Sequence, residues 1–258
     1  MAELKIKRCV VGMISTNCYI VYKAPQGEEN PCIIIDPGDN ASYLAKLCRD
    51  EKLKPEAILL THGHFDHTGA AGEFEKCLIH KADVPVLSQG FDRETREYQV
   101  KRFAELFDVV LSEDEFAYLN NEKEPEKLEY LTEGQKIDLG GRTLEVIETP
   151  GHTHGCVCFL DVTNGYLFAG DTGCNREILV YFDHSATVED VKLSDEKLLA
   201  RKAEYTQIWP GHHECPMAAS CLEDYRKAAE DILENQYIPL RSCRQHTLCS
   251  ARNLQFLL

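Results

Sequence analysis

Residues 57–70 read AILLTHGHFDHTGA. An apolar run ends there and, within six positions, delivers His62, His64, Asp66 and His67. Packing rarely explains such crowding. Neutral imidazole nitrogens and carboxylate oxygens are, however, the usual ligands of Zn²⁺ and related divalent ions. His62 and His64 stand two apart, so an extended backbone points them the same way and lets them share one ion. Asp66 and His67 follow one turn later, within reach of a second ion. The i, i+4 spacing of helical zinc motifs is absent.

Four more stretches repeat this design, an apolar strand running out into a turn that carries a ligand-type side chain. LEVIETPGHT (144–153) leads to His152, YLFAGDT (166–172) to Asp171, QIWPGHH (207–213) to His212 or His213, and CIIIDPG (32–38) to Asp36. Strand ends hold such turns rigidly, and their Gly and Pro residues allow the sharp reversal that aims a side chain inward. Asp36 has a plainer reading as a turn residue that orders a loop and supports the site from behind. A closed structural zinc site needs four ligands; more are lined up here, which favours an open, reactive centre.

The 258-residue chain is long enough for one good core, and a single domain spanning 1–258 is expected. Short strands alternate with helical runs. KIKRCVVG, NCYIVYKA, CIIIDPG and EAILLT read as strands, and ASYLAKLCRDEKL as a helix with Leu44, Leu47 and Leu53 at helical spacing. HTGAAGEFEK reads as the start of a helix, and His80 as a core histidine at the end of strand CLIH. The second half returns to strands: GQKIDLGG, TLEVIETPG, CVCFLDV, GYLFAGD and TQIWPG. A helix lies near SDEKLLARKAE, and a second carries Leu222, Tyr225, Ala229 and Ile232 along one stripe. Residues from about 83 to 131 are acidic and partly helical and read as an insertion. The tail from Arg241 shows no clear period and is left unassigned.

Net charge is −15, which repels phosphate backbones and points away from nucleic acid toward a small-molecule partner. No segment approaches the roughly 20 apolar residues of a membrane span, so no membrane partner is expected. The N-terminal run lacks a signal-peptide cleavage pattern. Twelve cysteines are scattered without a Cys-x-x-Cys pair. Most sit in apolar runs, where a reduced thiol packs as a small hydrophobe, so a reducing cytoplasm is expected. Cys156 and Cys158 read as ordinary thiols on a strand.

The motifs His-x-His-x-Asp-His (62–67), TPGHT (149–153), AGDT (169–172) and PGH (210–212) resemble, in that order, the metallo-β-lactamase superfamily. TNCYIVY, IIIDPGD and ILLTHGHFDHTGA are similar, more narrowly, to its single-domain, glyoxalase II-like (hydroxyacylglutathione hydrolase-like) members. The resemblance covers about residues 8–82 and 131–230. It implies a four-layer αββα sandwich, an α/β fold, with a two-metal site at one sheet edge. It places His62, His64 and His152 on a first metal, Asp66, His67 and His212 on a second, and Asp171 between them. His212 is taken over His213 by register, although the usual PGHG is PGHH here. His154 departs from the proline common after TPGHT and reads as a solvent-facing loop residue. Arg176, Tyr181 and His184, after the Asp171 turn, are candidates for lining a substrate pocket.

The resemblance implies two divalent ions per chain, Zn²⁺ first, with Fe²⁺ or Mn²⁺ also suited to this donor set. The expected activity is metal-dependent hydrolysis of a small acyl compound, a hydroxyacylglutathione-type thioester or a related ester or lactone. Water bound to the metals loses its proton near neutral pH and serves as nucleophile. Asp66 and Asp171 are the catalytic carboxylates, with Asp66 accepting and passing on a proton. No Gly-x-Ser-x-Gly elbow competes with this reading. The alternative on the same scaffold is an oxidoreductase resembling mononuclear-iron persulfide dioxygenases.

Overall fold

The apolar runs form strands because they are rich in Ile, Val and Cys and are broken by Gly, Pro and Asn, which end pairing. A computed structural model of the protein describes residues 4–12, 14–23, 29–106, 110, 112–113, 122–139, 143–174, 177–234, 238–243, 246–251 and 254–257. The chain divides into two units, 1–130 and 131–258.

The first unit is built on a six-stranded sheet. Its strands are β1 (Leu4–Val11), β2 (Thr16–Lys23), β3 (Asn30–Ile35), β4 (Leu53–Leu59), β5 (Cys77–His80) and β6 (Leu128–Leu131), paired in that order. β1, β2 and β3 are antiparallel, whereas β3, β4 and β5 run parallel. Helix α1 (Ala41–Asp50) makes the crossover from β3 to β4, with the Asn40 side chain accepting the Tyr43 N–H at its start. Its Leu44 and Cys48 pack with Cys18, Ile20, Ile34 and Ile58. On the other face of the sheet Tyr19, Val21, Ile35 and Leu59 are at most 1% exposed. Burial of both faces explains why these strands are continuous apolar runs without alternation.

Three expectations are corrected in this unit. Leu53 does not continue the helical stripe: Lys52 takes φ +54, a left-handed stop, and Leu53 opens β4. HTGAAGEFEK is not one helix. A four-residue helix α2 (Phe65–Thr68) is followed only by a 3₁₀ turn, Ala71–Glu73. Gly72 lies so close to the backbone of Lys123 that a Cβ there would collide with the carbonyl, and Gly69 is a poor helix former. His80, for its part, is only partly buried, and its Nδ1 accepts the Ala82 N–H to cap a 3₁₀ turn. Two helices then follow, α3 (Val84–Phe91) and α4 (Arg93–Leu106).

The second unit carries another six-stranded sheet. β7 (Lys136–Asp138), β8 (Thr143–Glu148), β9 (Val157–Asp161), β10 (Tyr166–Gly170), β12 (Gln207–Pro210) and β13 (Met217–Ala218) stand in the order β13-β12-β10-β9-β8-β7. α5 (Val188–Ala200) begins with a capping box, Thr187 and Asp190 exchanging side-chain and backbone hydrogen bonds. α6 (Cys221–Leu233) buries Leu222, Tyr225, Ala229 and Ile232 in the core formed by Leu160, Leu167, Leu198 and Ile208. The tail, unassigned from sequence, forms β14 (Ile238–Cys243), β15 (His246–Ala251) and β16 (Leu254–Leu257), which join β11 (Glu177–Leu179) in the order β11-β16-β15-β14. Strands of four to six residues with mixed polarity leave too little pattern to read in advance. No helix among the described residues is long and apolar enough to cross a membrane.

Ten cysteines are free among the described residues, and eight of them are buried. The side chains of Cys243 and Cys249 lie outside the described residues. Burial pushes Cys48 and Cys221 up to about 11 and Cys77 and Cys158 up to about 12. A raised thiol pKa leaves little thiolate at neutral pH, and thiolate is the reactive form. Alkylation at pH 8 is therefore expected to be at least ~100-fold slower at Cys48 and Cys77 in the native protein than in denaturant. Peptide mapping checks this, and thiol counts in denaturant should agree with and without reductant.

Candidate metal centre

In the first unit β4 ends at Leu59 and the chain turns through Thr61 and His62 into α2. Asp36, 1% exposed and held at φ +49 after β3, organises this turn. Its Oδ1 accepts the Thr61 N–H at 2.8 Å and its Oδ2 the Thr61 hydroxyl at 2.7 Å. The same Oδ2 lies 3.0 Å from His67 Nδ1. With its proton given to Asp36, the Thr61 hydroxyl accepts from His62 Nδ1 at 3.1 Å. His62 and His67 are both fully buried, and each has Nδ1 engaged by the protein, so Nε2 is the nitrogen presented as ligand.

His62 Nε2 lies 3.1 Å from His64 Nδ1. Two nitrogens bound at the Zn–N distance to one tetrahedral ion would stand about 3.3 Å apart, so the pair fits a shared cation. His67 Nε2 and Asp66 Oδ2 are 3.2 Å apart, and the Thr16 hydroxyl donates to the same Asp66 oxygen at 3.2 Å. Thr16 and Thr61 were not singled out from the sequence, because a hydroxyl beside a ligand carries no signal of its own.

In the second unit β8, β10 and β12 all run the same way. β8 and β10 each pair antiparallel with β9, and β12 pairs parallel with β10. Their C-terminal ends therefore leave the sheet at one edge, bringing His152, Asp171 and His212 together. His152 is 3% exposed, and its Nδ1 meets the Leu179 carbonyl at 2.7 Å. That contact makes Nδ1 the donor and leaves Nε2 to ligate. A single Asp171 oxygen, Oδ2, lies 3.5 Å from His152 Nε2 and 3.6 Å from His212 Nε2. These separations are long for hydrogen bonds but ordinary for ligands sharing an ion. The His152 carbonyl accepts the Ser185 hydroxyl at 2.8 Å, which fixes the turn from behind.

His213 sits at φ +63 with its ring 6.0 Å from that of His212; the contact with Asp171 belongs to His212. His154 is exposed, as its sequence context suggested. His184 stacks on Phe182 at 5.0 Å, and burial pushes its imidazole down to about 4. Tyr181 packs on the same Phe182 ring, with centroids 4.1 Å apart, while Arg176 lies outside the described residues. Cys156 and Cys158 are buried core thiols. Each half-site thus offers borderline nitrogen donors with hard carboxylate oxygens, a set that suits a divalent transition metal.

The sequence model of the metallo-beta-lactamase superfamily matches residues 11–212. An uncharacterized protein of Mycobacterium tuberculosis is 32% identical over 213 residues, 78% of this chain and 87% of that protein. A hydroxyacylglutathione hydrolase of Yersinia enterocolitica is 29% identical over 185 residues, 69% of this chain but only 59% of that longer protein. Among solved structures, TTHA1623 in a di-iron-bound form is similar with a TM-score of 0.60 and 25% identity, covering 83% of this chain and 96% of that one. The chain therefore belongs to the metallo-β-lactamase superfamily of metallo-hydrolases and has its α/β fold.

Proposed function

We propose that the protein is a two-metal hydrolase of a small acyl compound, a thioester of the hydroxyacylglutathione type or a related ester or lactone. The observation that carries this reading is the one Asp171 oxygen reached by both His152 and His212. A carboxylate so placed suits two ions at once. In this reading His62, His64 and His152 hold one ion, Asp66, His67 and His212 the other, and Asp171 bridges. Two divalent ions supply a Lewis acid for the acyl oxygen and a water ionised near neutral pH.

The chain's own residues do the rest. Asp36 and the Leu179 carbonyl keep His67 and His152 in the ligating tautomer. Asp66, steadied by Thr16, is the carboxylate that takes up a proton and passes it on. Likeness to a hydroxyacylglutathione hydrolase supports acyl hydrolysis, and the part of that enzyme left unmatched leaves the thiol carrier open. Zn²⁺ is the first choice of metal by donor chemistry, with iron supported by the di-iron form of TTHA1623. Buried free thiols support a reducing cytoplasm.

Asp171→Ala is expected to abolish tight binding of both ions; retention of two equivalents would defeat the bridging role. His212→Ala should lower metal content to about one equivalent, while His213→Ala leaves it unchanged, as elemental analysis would reveal. Asp36→Asn, which disturbs the tautomer of His67 without removing a ligand, should weaken metal binding about 10- to 100-fold in chelator competition. Zinc-reconstituted apoprotein should hydrolyse a lactoyl-thiol with or without air, its rate rising with pH through a single ionisation. Turnover only by the iron form, and only with consumption of oxygen, would replace this reading with the persulfide dioxygenase alternative.

A further inference from the structure

The ligand turn 62–67 is gripped by residues 83–96, which the proposed chemistry does not use. Asp83 is fully buried and accepts the N–H of Gly63, the residue between His62 and His64, at 2.7 Å. No Cβ fits at Gly63: it would lie 2.6 Å from the Asp83 carbonyl oxygen and 2.9 Å from Leu87 N. Phe65, between His64 and Asp66, is held from the same side. The Arg96 guanidinium sits 4.1 Å from the Phe65 ring centroid and 4.7 Å from that of Phe91, and the two rings meet edge to face. Arg96 is 2% exposed, and its Nε donates to the Gly90 carbonyl at 2.7 Å. Gly90 in turn lies against the Phe65 Cβ.

A cation over an aromatic face within about 6 Å is attractive, and more so when both are desolvated. A buried guanidinium is costly unless satisfied. Burial is the larger influence on Arg96, and the negative charges of Glu122 and Asp39 offset part of its cost. Such an arrangement is expensive as mere packing, since a leucine or methionine would fill the space without it. Phe65 has a further distinction: on the two-metal reading, the ligands on either side of it serve different ions.

We propose that Arg96 and Asp83 are positioning residues for the metal centre, a clamp on Phe65 and Gly63 that sets how His64 and Asp66 diverge toward the two ions. The proposal rests on that two-metal reading. It also gives a role to the part of the chain, 83–96, that joins no strand.

The test is cobalt binding to the full chain. Wild-type apoprotein should take up two equivalents of Co²⁺ with ligand-field bands in the visible. Arg96→Met, which keeps the stem and removes the charge, should bind Co²⁺ about 10- to 100-fold more weakly and show altered bands even at saturation. Arg96→Lys, which restores a cation over the ring, should recover most of both. A purely structural role would lower the urea midpoint of the apoprotein and leave the saturated spectrum as in wild type; that result in folded Arg96→Met overturns the clamp. Should Arg96→Met fail to fold, Phe65→Leu, which removes the aromatic face alone, decides by the same two readouts. A wild-type protein that binds no cobalt would instead overturn the two-metal reading, and the clamp with it.

Discussion

The centre in the first unit depends on one buried carboxylate. Asp36 leaves β3 in a left-handed conformation that Asp tolerates better than most residues. Its side chain reaches across to the neighbouring strand end. A buried charge costs several kcal/mol unless it is satisfied. The Thr61 amide, the Thr61 hydroxyl and the His67 imidazole satisfy it together. The backbone adds to the tie, with Gly38 N–H donating to the His67 carbonyl and Ala70 N–H to that of Gly38. The DPG turn and the ligand turn are thus one hydrogen-bonded object, and the imidazoles inherit its rigidity.

The second unit reaches the same end by different means. His152, Asp171 and His212 come from three parallel strand ends, so the sheet itself sets their spacing. Supporting groups then fix the details. The Leu179 carbonyl orients His152, the Thr149 and Thr172 hydroxyls join the first two turns at 3.0 Å, and Tyr225 of α6 donates to the Cys174 carbonyl at 2.5 Å. α6 thereby does two jobs, closing the core with its apolar stripe and holding the chain just after Asp171.

The turns that gather imidazoles and carboxylates were legible because such side chains stand at short spacing there and because Gly and Pro mark the ends of apolar strands. His62, His64, Asp66 and His67 could be read for that reason, as could His152 and Asp171. The stripe of α6 was legible from its period. Other features depend on what lies nearby in space and not in sequence. The helix begun at Phe65 stops at Thr68 and gives way to a 3₁₀ turn, with the Lys123 backbone packed against Gly72, and Leu53 opens a strand because Lys52 turns left-handed. Arg96 stands in the run RETREYQ, which reads as a solvated helix face; nothing there announces that it lies between two aromatic rings. Thr16 and Thr61 are ordinary strand-end hydroxyls until the carboxylates they touch are known.

The tail makes the strongest case of function without a local signature. β16 pairs in parallel with β11, setting Leu257 opposite Leu179, whose carbonyl receives the His152 N–H. A strand with no recognisable pattern therefore sits one rung from the His152 imidazole. Residues 254–257 are thus coupled to His152 through the backbone. A change that disturbs residues 254–257 would act on the Leu179 carbonyl and so on the tautomer of His152, and, on the two-metal reading, on the ion that His152 would hold. On the two-metal reading, a change in this segment would alter metal affinity while every proposed ligand stayed the same.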